Sequence, residues 1–222
     1  MALDRTFIVV KALDLLDEVG LEGLSMRRLA DALEVQAPAI YWHFPGKPAL
    51  IDAMAEVLVQ GVADKIDTRG GYAETLRSSA YEMRRALLGR RDGARVFAGT
   101  FVARPNVLDM GEIVVGALRK AGFEAAPAAR AVFTLMYYVM GFVIEEQALL
   151  EQTRRAGGTH PLAGPLEELD ALTERYPNIR ASIPEMLATD QDARFAFGVE
   201  LLLSGILASR RSRLDDNLPE SG

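Results

Sequence analysis

The stretch APAIYWHFPGKPAL, residues 37–50, gathers side chains suited to meeting a polyanion. Tyr41, Trp42, His43 and Phe44 stand side by side, Lys47 follows, and Ala37, Pro38 and Ala39 precede them. A phenol, an imidazole and an ammonium can donate to phosphate oxygens, and small apolar side chains let a backbone approach thymine methyl groups. Arg27, upstream, adds a guanidinium of the same use. Catalytic chemistry has far less to work with. The chain has two histidines, His43 and His160, and no cysteine, and it shows no GxSxG, HExxH or glycine-rich phosphate motif. Glu145 and Glu146 are neighbours on a helical pattern, so their carboxylates diverge rather than pair as acid and base. No enzyme, no metal site and no cofactor is expected.

The elements that must position these residues read as helices throughout, because apolar residues recur at helical spacing and no stretch sustains a period of two. The fold class expected is all-α. Ile8, Ala12, Leu15, Leu16 and Val19 share one face of a first helix that ends near Gly20. Ser25 offers an N-cap to MRRLADAL, and EVQ is a tight connection to the short helix APAIYWHF, whose Pro38 suits a first turn. At 100° per residue, Ile40 and Phe44 share a face, and Trp42 lies about 160° from Ile40. Ile40 and Phe44 therefore face a core, and Tyr41 and Trp42 project outward. Two short helices after a longer one match a helix-turn-helix, whose second helix enters the DNA major groove. A longer helix is expected from Pro48 through Ile66. Others are expected over 73–88, 107–121, 128–153 and 190–210, with loops or tails at TRRAGGTHPLAGP and DDNLPESG. The domains expected are a small N-terminal helix-turn-helix unit, 1–48, and a larger helical domain, 49–222.

The chain has 222 residues, half of them hydrophobic, and a formal net charge of −6, which argues against coating nucleic acid without specificity. A small local face remains open to DNA, since Arg27, Arg28 and Lys47 face only Asp31 and Glu34 between Ser25 and Pro48. The start MALDRTFIVVKALDLL carries charges too early for a signal peptide, and the longest uncharged run, Ala131 to Ile144, is shorter than the roughly 20 residues of a membrane span. The cytoplasm is the expected compartment. The same run is apolar nearly all round, which predicts a helix covered on every side.

GLSMRRLADALEVQAPAIYWHFPGKPALIDAM resembles the DNA-binding signature of the TetR family of transcriptional repressors. RRALLGRRDGARVFAGT, GFVIEEQ and YPNIRASI resemble the ligand-binding domain of its tetracycline-repressor branch, so the likeness covers most of the chain apart from the loop around Gly157. It implies a homodimer that occupies a palindromic operator and leaves it when a small molecule binds the C-terminal domain. It also implies DNA contacts from Arg27, Pro38, Tyr41, Trp42, His43 and Lys47. Ala37 and Ala39 stand where that branch places Gln and Thr, which removes a bidentate adenine contact and implies a different operator. Phe97 stands where the branch has the imidazole that ligates the magnesium of its drug chelate, and a phenyl ring ligates nothing. Val62, Ser79, Met83 and Tyr137 replace further polar drug contacts. With Thr100, Phe101, Met110, Ile113, Tyr138 and Phe142 they imply a pocket for an apolar or aromatic effector that needs no metal. Dimerisation is expected through the helices 128–153 and 190–210, where Gly198 and Gly205, seven apart, would allow close approach across a four-helix interface. The alternative is a helical assembly module without an effector response.

Overall fold

The structure is a computed structural model that describes residues 3–100, 103–168 and 175–215, all of it helix and loop among the described residues. Asp4 caps α1 (Arg5–Gly23) by accepting the Phe7 N–H at 2.8 Å. Helical geometry breaks inside α1 at Gly20, where φ is +71°. Ser25 caps α2 (Met26–Ala32), its hydroxyl accepting the Arg28 N–H at 3.2 Å. The EVQ connection closes as a Schellman turn: Glu34 takes a φ of +54°, Val35 N–H donates to Ala30 O at 3.0 Å, and Glu34 N–H donates to Asp31 O at 3.1 Å. α3 (Ala37–His43) follows with Pro38 in its first turn.

Next comes α4 (Lys47–Leu58), which is shorter than the pattern to Ile66 predicts. The chain leaves helical geometry through Gly61, at φ +73°, and a single 3₁₀ turn at Ala63–Lys65. α5 (Gly71–Leu88), α7 (Pro105–Lys120), α8 (Ala125–Arg155) and α11 (Gln191–Asp215) build the larger body. Between them lie three short helices that the periodicity does not announce: α6 (Gly93–Phe97), α9 (Ala163–Glu168) and α10 (Pro177–Met186).

Two apolar cores result. One joins Ile8, Leu16, Leu29, Ile40 and Phe44 to Leu50 and Met54 of α4; the other joins Ala55 of α4 and Val59, just past its end, to Leu76, Leu87, Leu118, Leu135 and Phe195. α4 thus belongs to both: Leu50, Met54 and Leu58 face the small core, and Ala55 faces the larger one. Within the single chain α8 is not covered on every side. Ala128, Leu135, Val139, Val143 and Glu146 are its buried residues, whereas Phe133 and Tyr137 stack on each other at 6.0 Å on an exposed face. Gly198 approaches α8 of its own chain, since a Cβ there would lie 2.1 Å from Tyr138 Oη, and Gly205 faces open space. Gly198 therefore serves the contact between α8 and α11 within one chain.

Candidate nucleic-acid interface and effector cavity

On α3 the two faces separate as helical spacing requires. Ile40 and Phe44 are fully buried, while Trp42 is 87% exposed and Tyr41 49%. Arg27 and Pro38 are exposed, and Ala37, Ala39, His43 and Lys47 are half-buried. Lys47 Nζ donates to Leu21 O at 3.1 Å, which pins the start of α4 to the end of α1 and leaves two ammonium donors for another acceptor. Arg28 Nη1 donates to Gly23 O at 3.0 Å, turning that guanidinium back on the protein. One residue at this surface escapes the helical pattern altogether. Arg5, at the first position of α1, donates to the His43 carbonyl and lies over the Phe44 ring at 4.2 Å. Its partners are 38 residues away, so no local spacing reveals it.

In the larger body a half-open apolar cleft of about 50 Å³ lies between α5, α7 and α8. Ser79, Ala80 and Met83 come from α5, Met110, Gly111 and Val114 from α7, and Val132, Leu135, Met136 and Val139 from α8. Its wall carries one hydroxyl, Ser79 Oγ, which already donates to Leu76 O at 2.8 Å. Drug-sized pockets run to roughly 300–1,000 Å³. An occupant of that size must therefore part these three helices, and Met83, Met110 and Met136 are the walls best able to rearrange.

The cavity brings together Ser79, Met83 and Met110 of the residues expected there. Val62 is buried beside the 3₁₀ turn, and Ile113 lines a separate groove with Tyr72 and Thr75. Phe97 is buried in α6, and Thr100 Oγ1 donates to its carbonyl at 2.6 Å. Phe101 lies outside the described residues. Along α8 three faces divide the rest. Val132, Leu135, Met136 and Val139 turn to the cavity, Tyr138 and Phe142 turn to Phe195 of α11 with ring centroids 5.6 and 5.1 Å away, and Tyr137 points out, 60% exposed. Neighbours on a helix differ by 100°, so Tyr137 and Tyr138 cannot line one space. The Tyr138 hydroxyl lies 3.1 Å from Phe195 O and 3.3 Å from Arg194 O, and burial pushes its pKa above the usual tyrosine value.

Beside that aromatic group, Arg84 of α5 binds Glu146 of α8 through two hydrogen bonds of 2.9 and 2.6 Å. It also reaches Asp192 of α11 at 2.6 Å and lies 4.8 Å from the Phe195 ring. The bond to Glu146, more than that to Asp192, holds the guanidinium pKa above its ordinary value against the opposing effect of burial. Glu146 is buried, and its partner Arg84 lies 62 positions away, so no local spacing reveals the pair.

The two bodies meet at the turn before α6. Asp92, at φ +55°, accepts the Leu21 N–H freed by the break at Gly20, at 2.8 Å. Asp17 accepts the Arg91 N–H at 2.9 Å, and Arg95 reaches Glu22 at 2.5 Å. A Cβ at Gly93 would lie 2.2 Å from the Leu87 carbonyl, so the chain passes there with no room for a side chain. Val96 then belongs to the small core and Phe97, its neighbour, to the large one.

Known proteins share both halves of this arrangement. Residues 8–54 match the model of bacterial regulatory proteins of the tetR family, and residues 66–210 match the tetracyclin repressor-like C-terminal domain. The class A tetracycline repressor protein from transposon 1721 of Escherichia coli is 38% identical over 92% of this chain and 90% of its own. The crystal structure of a possible TetR family transcriptional regulator from Streptomyces coelicolor A3(2) superposes with a TM-score of 0.83 at 45% identity, covering 93% of this chain and all of the other. The Streptomyces coelicolor protein ActR in complex with actinorhodin superposes at 0.77 with 29% identity, over 94% of this chain and 98% of that one. With an outward aromatic helix in the first domain and a helical body matching the second, the chain belongs to the TetR family and is a DNA-binding transcriptional repressor rather than an enzyme.

Proposed function

We propose that the protein occupies a palindromic operator in the cytoplasm as a homodimer and is released by a small apolar or aromatic effector that needs no metal. The observation that carries this reading is the hydrocarbon cavity between α5, α7 and α8, whose core continues into α4, the helix that also closes the core beneath α3. The division of labour falls between residues 1–48, which read DNA, and 49–222, which bind effector and partner. Tyr41, Trp42, Arg27, His43 and Lys47 meet the operator, with Ala37, Pro38 and Ala39 against the bases. Two half-sites then lie about one helical turn apart, or a multiple of it. Phe197 and Leu201 of α11 and Phe133 and Tyr137 of α8 are exposed, apolar groups on two helices suited to a second copy in a four-helix contact of about 2,000 Å² or more.

The donor set does not fit the metal chelate of the tetracycline branch. Phe97 offers no lone pair, and the described residues hold no cluster of three His, Cys, Asp or Glu side chains that could hold a metal ion. The complex of ActR with actinorhodin supports a small-molecule effector by analogy. To release DNA, the effector must favour the DNA-incompetent arrangement, typically by about 1–3 kcal/mol of coupling. The route proposed runs from Gly93–Thr100 through α4 to α3.

The test is a gel shift on the DNA flanking the gene, followed by a screen of aromatic compounds with and without EDTA. Expected are a shifted dimer complex and compounds that dissolve it in either buffer. A stable monomer at micromolar concentration, or release that depends on magnesium, would refute the corresponding part. A dimer that shifts no DNA would favour an assembly module.

A further inference from the structure

We infer that Arg5 is a positioning residue for DNA binding: it fixes the C-terminal end of α3 and thereby the aim of Trp42, His43 and Lys47. This rests on the reading of α3 as the helix that meets DNA. Seven residues are too few for a helix to persist alone, since isolated helices shorter than about 12–15 residues are marginal. The placement of α3 therefore depends on what holds its ends. At the N-terminal end Gln36 supplies no side-chain cap. At the other end Phe44 N–H closes on Ile40 O at 2.9 Å, and Arg5 takes the His43 carbonyl and covers the Phe44 ring.

The position of Arg5 in its own helix argues for this use. It follows the N-cap Asp4, so its charge sits at the positive end of α1, which disfavours a cation. The C-terminal carbonyls of α3 favour the same cation, and the buried Phe44 gives the planar guanidinium a face to lie on. A lysine could supply the charge but not the plane. The guanidinium therefore connects the start of α1 to the last turn of α3, while the Lys47 contact connects α4 to the far end of α1.

The experiment starts from random-sequence duplexes enriched on the wild-type protein, and measures affinity against salt for wild type, Arg5→Ala, Arg5→Lys and Lys47→Ala. Arg5→Ala is expected to bind about tenfold more weakly at every salt concentration, with an unchanged salt slope. Arg5→Lys is expected to recover only part of that loss while melting with the wild type. In the free protein, hydrogen exchange at the Phe44 amide is expected to accelerate in Arg5→Ala. Unchanged affinity, full rescue by lysine, or unchanged exchange would overturn the inference. A slope reduced by about 0.9 for each Arg5 removed would instead make Arg5 a direct phosphate contact, and would also overturn it. Failure of the wild type to enrich any sequence would refute DNA reading by α3 and Arg5's role with it, whereas enrichment with an indifferent Arg5→Ala would refute Arg5's role alone.

Discussion

Around α3 and around the cavity, side chains divide between fold and function in different ways. On α3, Ile40 and Phe44 hold the helix down with no exposure, and Tyr41 and Trp42 stand free of any core. Around the cavity no such division exists. Met83, Val114, Leu135 and Val139 are at once the wall an effector would touch and part of the core that joins α5, α7 and α8. A partner that binds α3 meets a finished surface, whereas a ligand that enters the cavity must compete with the packing of the domain itself. The first arrangement lets recognition change by substitution at little cost to stability. The second makes ligand binding a conformational event, which a repressor needs if occupancy is to move α4.

The largest test of this contrast is Arg84. It has no place at the cavity wall, yet it ties α5 to α8 and α11 on the far side of Phe142 and Phe195. Removing one partner of a buried ion pair strands the other, so Arg84→Ala is expected to destabilise by about 3–5 kcal/mol, read by chemical denaturation. Glu146→Gln, which keeps a hydrogen-bonding partner for the guanidinium, is expected to cost less. A loss below 1 kcal/mol for Arg84→Ala would mean that the body is held by apolar packing alone.

Next in size is Met83→Ala, expected to destabilise by about 2–5 kcal/mol while enlarging the cavity. Benzene is then expected to raise the melting temperature of the variant more than that of the wild type, as a dry apolar cavity accepts such a probe. If stability is unchanged, wall and core are separate here too, and the contrast with α3 fails.

The same contrast explains what the sequence revealed. The turns and caps of the DNA-reading unit are set by contacts close in the chain: Ser25 to Arg28, Ala30 to Val35, Ile40 to Phe44. Helical spacing and capping rules therefore locate its helices and give the outward direction of Tyr41 and Trp42. The cavity wall comes from helices dozens of residues apart, and a methionine facing a cavity has the same periodicity as one facing a core. Ser79, Met83 and Met110 were legible through family resemblance, while Gly111, Val132 and Met136 carry no signal of their own. Tyr137 and Tyr138 show the limit of reading by residue type, since 100° of helical phase sends one to solvent and the other to α11. α6 was missed because five residues show no period, although Gly93 marks the place where two backbones touch.

The smallest expected effect on stability is the sharpest test on the side of α3. Trp42 is 87% exposed, so Trp42→Ala removes little packing and is expected to change unfolding free energy by no more than about 0.5 kcal/mol. An indole left in water is unfavourable in proportion to its apolar area, at roughly 25 cal/mol per Å², and covering it against DNA recovers that term. Operator binding is accordingly expected to weaken by about 1–3 kcal/mol, measured by titration on selected DNA at fixed salt. The two numbers together decide the matter. Lost binding with intact stability places Trp42 on a surface made for a partner, as its separation from Ile40 and Phe44 requires. Lost stability with it would mean that the indole packs on the protein in solution, and that α3 divides fold from function no better than the cavity does.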